Sequence, residues 1–138
     1  MQKTAILVVE DDPDTQAYMR LMLERRYIVY SAASAEEARE QLREHKDRIA
    51  AILMDLSLKG SDDGFMLTGE LRQDPRWENT PIIAVTAHAL PEYRARALSA
   101  GCNSFLAKPF GRAELFSVLD TFLAPARSAT SSAPEAGS

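Results

Sequence analysis

Five short apolar runs recur along the chain, at Ala5–Val9, Ile28–Ala32, Ala50–Met54, Ile82–Thr86 and Ser104–Ala107. Each has the length of a strand, and longer stretches with helical spacing separate them. The first, third and fourth runs are continuously apolar, as strands buried on both faces should be. Pro13 suits a first helical turn, and Tyr18, Leu21 and Met22 then share one face. Ser34-Ala35-Glu36-Glu37 has the form of a capping box ahead of Ala38 and Leu42. Leu67 and Leu71 face one way in a helix expected to end near Asp74-Pro75. Tyr93, Ala97 and Ala100 make a thinner stripe that Gly101 closes. Leu115, Val118, Leu119 and Phe122 form the strongest helical face.

Strand-then-helix, repeated five times, predicts an α/β fold with a doubly wound five-stranded parallel sheet covered by helices on both sides. The compact part is expected to run from Lys3 to Leu123. Beyond it the chain reads APARSATSSAPEAGS. That segment has no large apolar side chain to repay its ordering entropy, so residues 124–138 are expected to be a disordered tail or the start of a linker.

Composition narrows the picture further. The 138 residues carry a net charge of -4, which argues against a general nucleic-acid-binding surface. The single cysteine, Cys102, allows no intrachain disulfide, in keeping with a reducing compartment. No apolar run reaches the length of a membrane span, and the N-terminus lacks a secretory pattern. A cytoplasmic location is expected.

In open parallel sheets, ligands gather beyond the carboxyl ends of the strands. Glu10, Asp11 and Asp12 follow the first strand, Asp55 the third and Lys108 the fifth, while Thr86 ends the fourth. An isolated acidic triplet is usually a solvated turn entering a helix, and Asp12 fits that role. Together, however, these groups would place a carboxylate cluster, a hydroxyl and an ammonium along one edge. Such hard oxygens suit magnesium. A divalent cation, a hydroxyl and an ammonium suit phosphoryl transfer, with Asp55 as the nucleophilic acceptor.

VVED at 8–11, MDLSL at 54–58, VTAHA at 85–89 and LAKPF at 106–110 resemble, in that order and spacing, response-regulator receiver domains of the CheY-like family. The resemblance covers nearly all of the compact region. It implies a flavodoxin-like (βα)5 fold with strand order 2-1-3-4-5. It implies that Asp55 takes a phosphoryl group from a phosphohistidine on a sensor histidine kinase or phosphotransfer protein. Glu10 and Asp11 match the acidic pair that, with Asp55 and the backbone carbonyl of Ser57, holds magnesium. Thr86 and Phe105 match the switch pair, Lys108 the lysine that pairs with the acceptor and then the phosphate, and Pro109 a proline after a cis bond. Output is expected through the face of the fourth helix, fifth strand and fifth helix, onto a partner protein.

The loop after Asp55 departs from the family: SLKGSDDG has Lys59 where a proline is usual, and one extra residue before the glycine. Ser57 and His88 are expected to influence phosphoaspartate hydrolysis. His88 and His45 are the only histidines, so no zinc cluster is expected. Trp77 is expected to cover a loop-side apolar patch, and Cys102 to be a small buried or half-buried residue. Two other readings compete. One is a receiver-like docking module that works without phosphorylation. The other is a magnesium-dependent aspartyl-phosphate phosphatase, which would want an acid at Ser57. The receiver reading makes the chain no enzyme beyond its own phosphorylation and dephosphorylation.

Overall fold

The computed structural model describes residues 4–56, 58, 64–87 and 90–131, with side chains described through Leu123. Five strands alternate with five helices: β1 (Ala5–Val9), α1 (Pro13–Leu23), β2 (Ile28–Ala32), α2 (Ala35–Glu44), β3 (Ile49–Asp55), α3 (Gly64–Arg72), β4 (Ile82–Thr86), α4 (Pro91–Ala100), β5 (Ser104–Ala107) and α5 (Arg112–Ser131). All strand pairs are parallel, and the sheet order is β2-β1-β3-β4-β5. The order reverses between β1 and β3, so the site expected at a switch point falls where these two strands end.

The sheet is buried on both faces. Alternation along each strand sends Leu7, Val9, Ile52 and Met54 into one core, shared with Leu42, Leu67, Leu71 and Trp77. Ile6, Val8, Leu53 and Val85 enter the other, with Met19, Leu23, Leu115 and Leu119. Two cores of this size explain why β1 and β4 have no exposed position: neither strand has a solvent face, and the one polar side chain in them, Thr86, is buried at the end of β4.

Local chemistry sets the helix ends. Asp12 caps α1, accepting from Thr15 N at 2.9 Å and Thr15 Oγ1 at 2.7 Å, and Pro13 occupies the first turn. Ser34 caps α2 through Glu37 N, while Glu37 Oε1 accepts from Ala33 N at 2.8 Å. Gly101 ends α4 in the left-handed region, at φ 119°, which an L side chain rarely adopts.

Three expectations need correction. The buried face of α1 is Met19, Met22 and Leu23; Tyr18 and Leu21 are exposed. Apolar residues occupy more of α1 than one stripe, so spacing alone does not choose among them. Strand β3 is longer than expected at both ends, and Asp55 is its last residue, paired with Val85. Finally, α5 continues to Ser131, so the backbone of 124–131 is helical where composition suggests a tail, and the remainder of that segment, 132–138, lies outside the described residues. Alanines at 124, 126 and 129 favour helix, while Pro125 between them lacks an N–H to donate to the preceding turn. Trp77 and Cys102 are buried as expected.

Candidate functional site

The carboxyl ends of β1, β3, β4 and β5 meet at one edge. β1 and β3 are paired through Val9 and Met54, which brings the acids that follow them together. Oxygens of Glu10, Asp11 and Asp55 lie within 4.8 Å of one another. Glu10 is 2% exposed and Asp55 5%, so two of the three carboxyls are desolvated. Thr86, fully buried, closes β4 beside them.

The counter-charge is Lys108, brought in by β5. Its Nζ donates to Glu10 Oε1 at 2.7 Å and lies 3.7 Å from Asp55 Oδ2. The Lys108–Pro109 peptide bond is cis. Burial pushes the Glu10 carboxyl up to about 7; hydrogen bonds from Lys108 and the Asp12 N–H oppose that rise, and the Asp55 charge adds to it. Burial alone would lower the Lys108 ammonium. The hydrogen bond to Glu10 and the charges of Asp55, Glu10 and Asp11 outweigh it, so Lys108 stays above its usual value.

The acidic turn is tied down locally. Glu10 Oε2 accepts from Asp12 N at 3.0 Å. Glu10 N donates to Ala32 O at 2.9 Å. Gln16 Nε2 donates to Glu10 O at 2.9 Å. One oxygen stands apart: Asp11 Oδ2 is buried and has no hydrogen-bond partner among the described residues. A buried, unpartnered carboxylate oxygen is costly unless a cation meets it. Three hard oxygen donors converging around such an atom fit a magnesium ion.

Phe105 is half-buried and packs on the same core as Tyr93 and Ala100. The first turn of α3 lies against the acceptor's backbone: a Cβ at Gly64 would run into the Asp55 carbonyl oxygen and come within 2.7 Å of Leu56 Cα. Ser57 and His88 lie outside the described residues, as does the loop at 59–63. Sequence reasoning thus placed Glu10, Asp11, Asp55, Thr86 and Lys108 at one edge; the structure brings the three acids and the ammonium together, and Thr86 ends β4 with its backbone oxygen accepting from Lys108 N. It missed Gln16, which reads as an ordinary polar residue on a surface helix.

An open parallel sheet with this acid-and-lysine edge defines a receiver-type signalling domain. The family model described as the response regulator receiver domain matches residues 6–120, and the chain belongs to that family. An uncharacterized 14.6 kDa protein of Leptolyngbya boryana is 39% identical over 118 residues, covering 85% of this chain and 88% of that protein. Response regulator Rre1 of Synechocystis is 30% identical over 122 residues; these are 87% of this chain but 52% of Rre1, so the chain spans about half of that relative. The receiver domain of a sensor histidine kinase of Pseudomonas aeruginosa, with magnesium coordinated in its active-site cleft, matches at TM-score 0.77 and 39% identity, over 88% of this chain and 98% of that one. No helix among the described residues is long and apolar enough to cross a membrane.

Proposed function

We propose that this receiver domain is a phosphorylation-controlled switch in which Asp55 accepts a phosphoryl group from a phosphohistidine on a histidine kinase or phosphotransfer protein. The observation that carries this reading is the convergence of Glu10, Asp11 and Asp55 within 4.8 Å, with Lys108 Nζ against them. An Asp55 oxygen forms the new O–P bond as the donor's N–P bond breaks. Lys108, already 3.7 Å from Asp55 Oδ2, stabilises charge on the phosphoryl oxygens. Glu10, Asp11, Asp55 and the Ser57 carbonyl would hold magnesium. When bound, the ion supplies positive charge that offsets the carboxylates and the phosphoryl group.

The buried Thr86 and half-buried Phe105 sit on adjacent strands, β4 and β5, next to α4. A change in their packing would alter the face of α4, β5 and α5, which would meet an output partner. The domain turns over no other substrate in this reading. Intact mass after incubation with magnesium and acetyl phosphate tests it. A single phosphoryl adduct that needs magnesium and is absent from Asp55→Asn is expected. If wild type takes up neither a phosphoryl group nor beryllofluoride, the switch reading fails, and a docking module independent of phosphorylation replaces it.

A further inference from the structure

We propose that Gln16 is a positioning residue for the metal-binding acids: its carboxamide holds the peptide between Glu10 and Asp11 in the orientation that aims Asp11 into the site. This rests on the magnesium-binding reading above and adds a residue to it.

Gln16 lies one turn into α1 and within hydrogen-bonding reach of the backbone of the acidic turn that precedes the helix. Its Nε2 donates to Glu10 O at 2.9 Å and, more weakly, to Ala32 O at 3.4 Å. Ala32 O also accepts from Glu10 N at 2.9 Å. The carboxamide therefore bridges the ends of β1 and β2, where the strand ladder has run out. Glu10 O belongs to the peptide unit that joins Glu10 to Asp11. That unit is planar, so fixing its oxygen fixes its rotation and the direction in which Asp11 leaves the chain.

The two acids depend on this differently. Both Glu10 side-chain oxygens are held, Oε1 by Lys108 and Oε2 by Asp12 N. Asp11 Oδ2 has no hydrogen-bond partner among the described residues. Its position is set by the backbone that carries it. A loosened turn would therefore displace Asp11 first and leave Glu10 anchored to Lys108. Groups that orient metal ligands commonly matter to affinity almost as much as the ligands do.

The test compares Gln16→Met, which keeps the length and removes the donor, with Ala17→Gly, which weakens α1 at an exposed position without touching the turn. Magnesium affinity is measured by titration calorimetry on the folded proteins, and melting temperature is measured with the metal chelated. Gln16→Met should weaken magnesium binding about tenfold. Ala17→Gly should lower the melting temperature and leave magnesium binding unchanged. Should Gln16→Met not fold, Gln16→Asn, too short to span both carbonyls, takes its place with the same expectation. If the Gln16 variant binds magnesium like wild type, or loses affinity only in step with Ala17→Gly, the positioning role is overturned while the switch reading stands. If wild type binds neither magnesium nor beryllofluoride, both fall together.

Discussion

Lys108 Nζ is 2.7 Å from Glu10 Oε1 and 3.7 Å from Asp55 Oδ2, so the resting ammonium is hydrogen-bonded to the acid of the first strand and only electrostatically engaged by the acceptor. The lysine therefore has two tasks, one structural and one chemical. Replacing it separates them. Lys108→Met strands a Glu10 oxygen in a site where the residue is 2% exposed. The loss should be about 1–3 kcal/mol, read as a lower urea midpoint with unchanged slope. Adduct formation from acetyl phosphate should slow by roughly a hundredfold, because a charge aimed at the phosphoryl group is gone. A slowed reaction without lost stability would show that Glu10 finds another donor.

Gly64 and Gly69 lie in the same helix and should respond to alanine in opposite ways. A Cβ at Gly64 meets the backbone of Asp55 and Leu56, which cannot yield as a flexible side chain would. Gly64→Ala should destabilise the domain by about 1–3 kcal/mol or more and impair Asp55 phosphorylation as well. At Gly69 nothing lies within 4 Å of the new methyl group. Gly69→Ala should stabilise by about 0.5–1 kcal/mol with the site intact. Thermal melts and adduct yields of the two variants decide the matter.

Arg72 gathers the lower rim of the domain. Its guanidinium donates to the carbonyl oxygens of Gly101, Trp77, Glu78 and Thr80 and to Asn103 Oδ1, at 2.7–3.1 Å. Asn103 Oδ1 in turn accepts from Ile82 N at 2.8 Å, which ties this rim to β4. No other side chain matches that fan of donors, so Arg72→Lys should be nearly as damaging as Arg72→Met. Both are expected to cost about 2–3 kcal/mol, measured by urea unfolding. Near-complete rescue by lysine would refute the geometric argument.

Cys102 is buried, and burial raises its thiol above the usual value, against the opposing influences of Thr68 and Arg72. The unfolded chain ionises this thiol near 9 and the folded chain only at higher pH. Stability tied to Cys102 is thus unaffected below about pH 9 and declines as pH rises through that point. Cys102→Ala should flatten that decline in urea midpoints taken between neutral and alkaline pH. The native thiol should also react slowly with a soluble disulfide reagent at pH 8, and fast once the protein is unfolded.

The central strands β1, β3 and β4 were legible because the sheet is buried on both faces there, so each appears as a continuous apolar run, whereas the edge strands β2 and β5 carry a serine each and are half-buried. The site was legible because its residues sit at strand ends, where chain order and parallel topology already fix the edge they share. Other features depend on contacts with no local signature. Tyr18 looks like a core residue of α1, yet it is exposed, and its hydroxyl donates to Phe110 O at 2.8 Å. Arg72 resembles any basic residue at a helix end, and Gln16 any polar residue on a helix surface. The preference of Lys108 for Glu10 over Asp55 is a matter of about one ångström, which no spacing in the sequence encodes.

The acids at positions 10, 11 and 55 and the lysine at 108 draw on β1, β3 and β5, with β4 between. The full set of contacts forms only when the β1–β3, β3–β4 and β4–β5 pairings are all in place. The site is thus a long-range property of the chain, absent from any partly folded form that lacks one of these pairings. Whatever binds there binds only the complete sheet, and at a hundred times its dissociation constant it adds about 2.7 kcal/mol to the stability of the whole domain. Occupancy of the edge would then govern resistance to unfolding and proteolysis, so the lifetime of the protein and the state of its site are linked quantities.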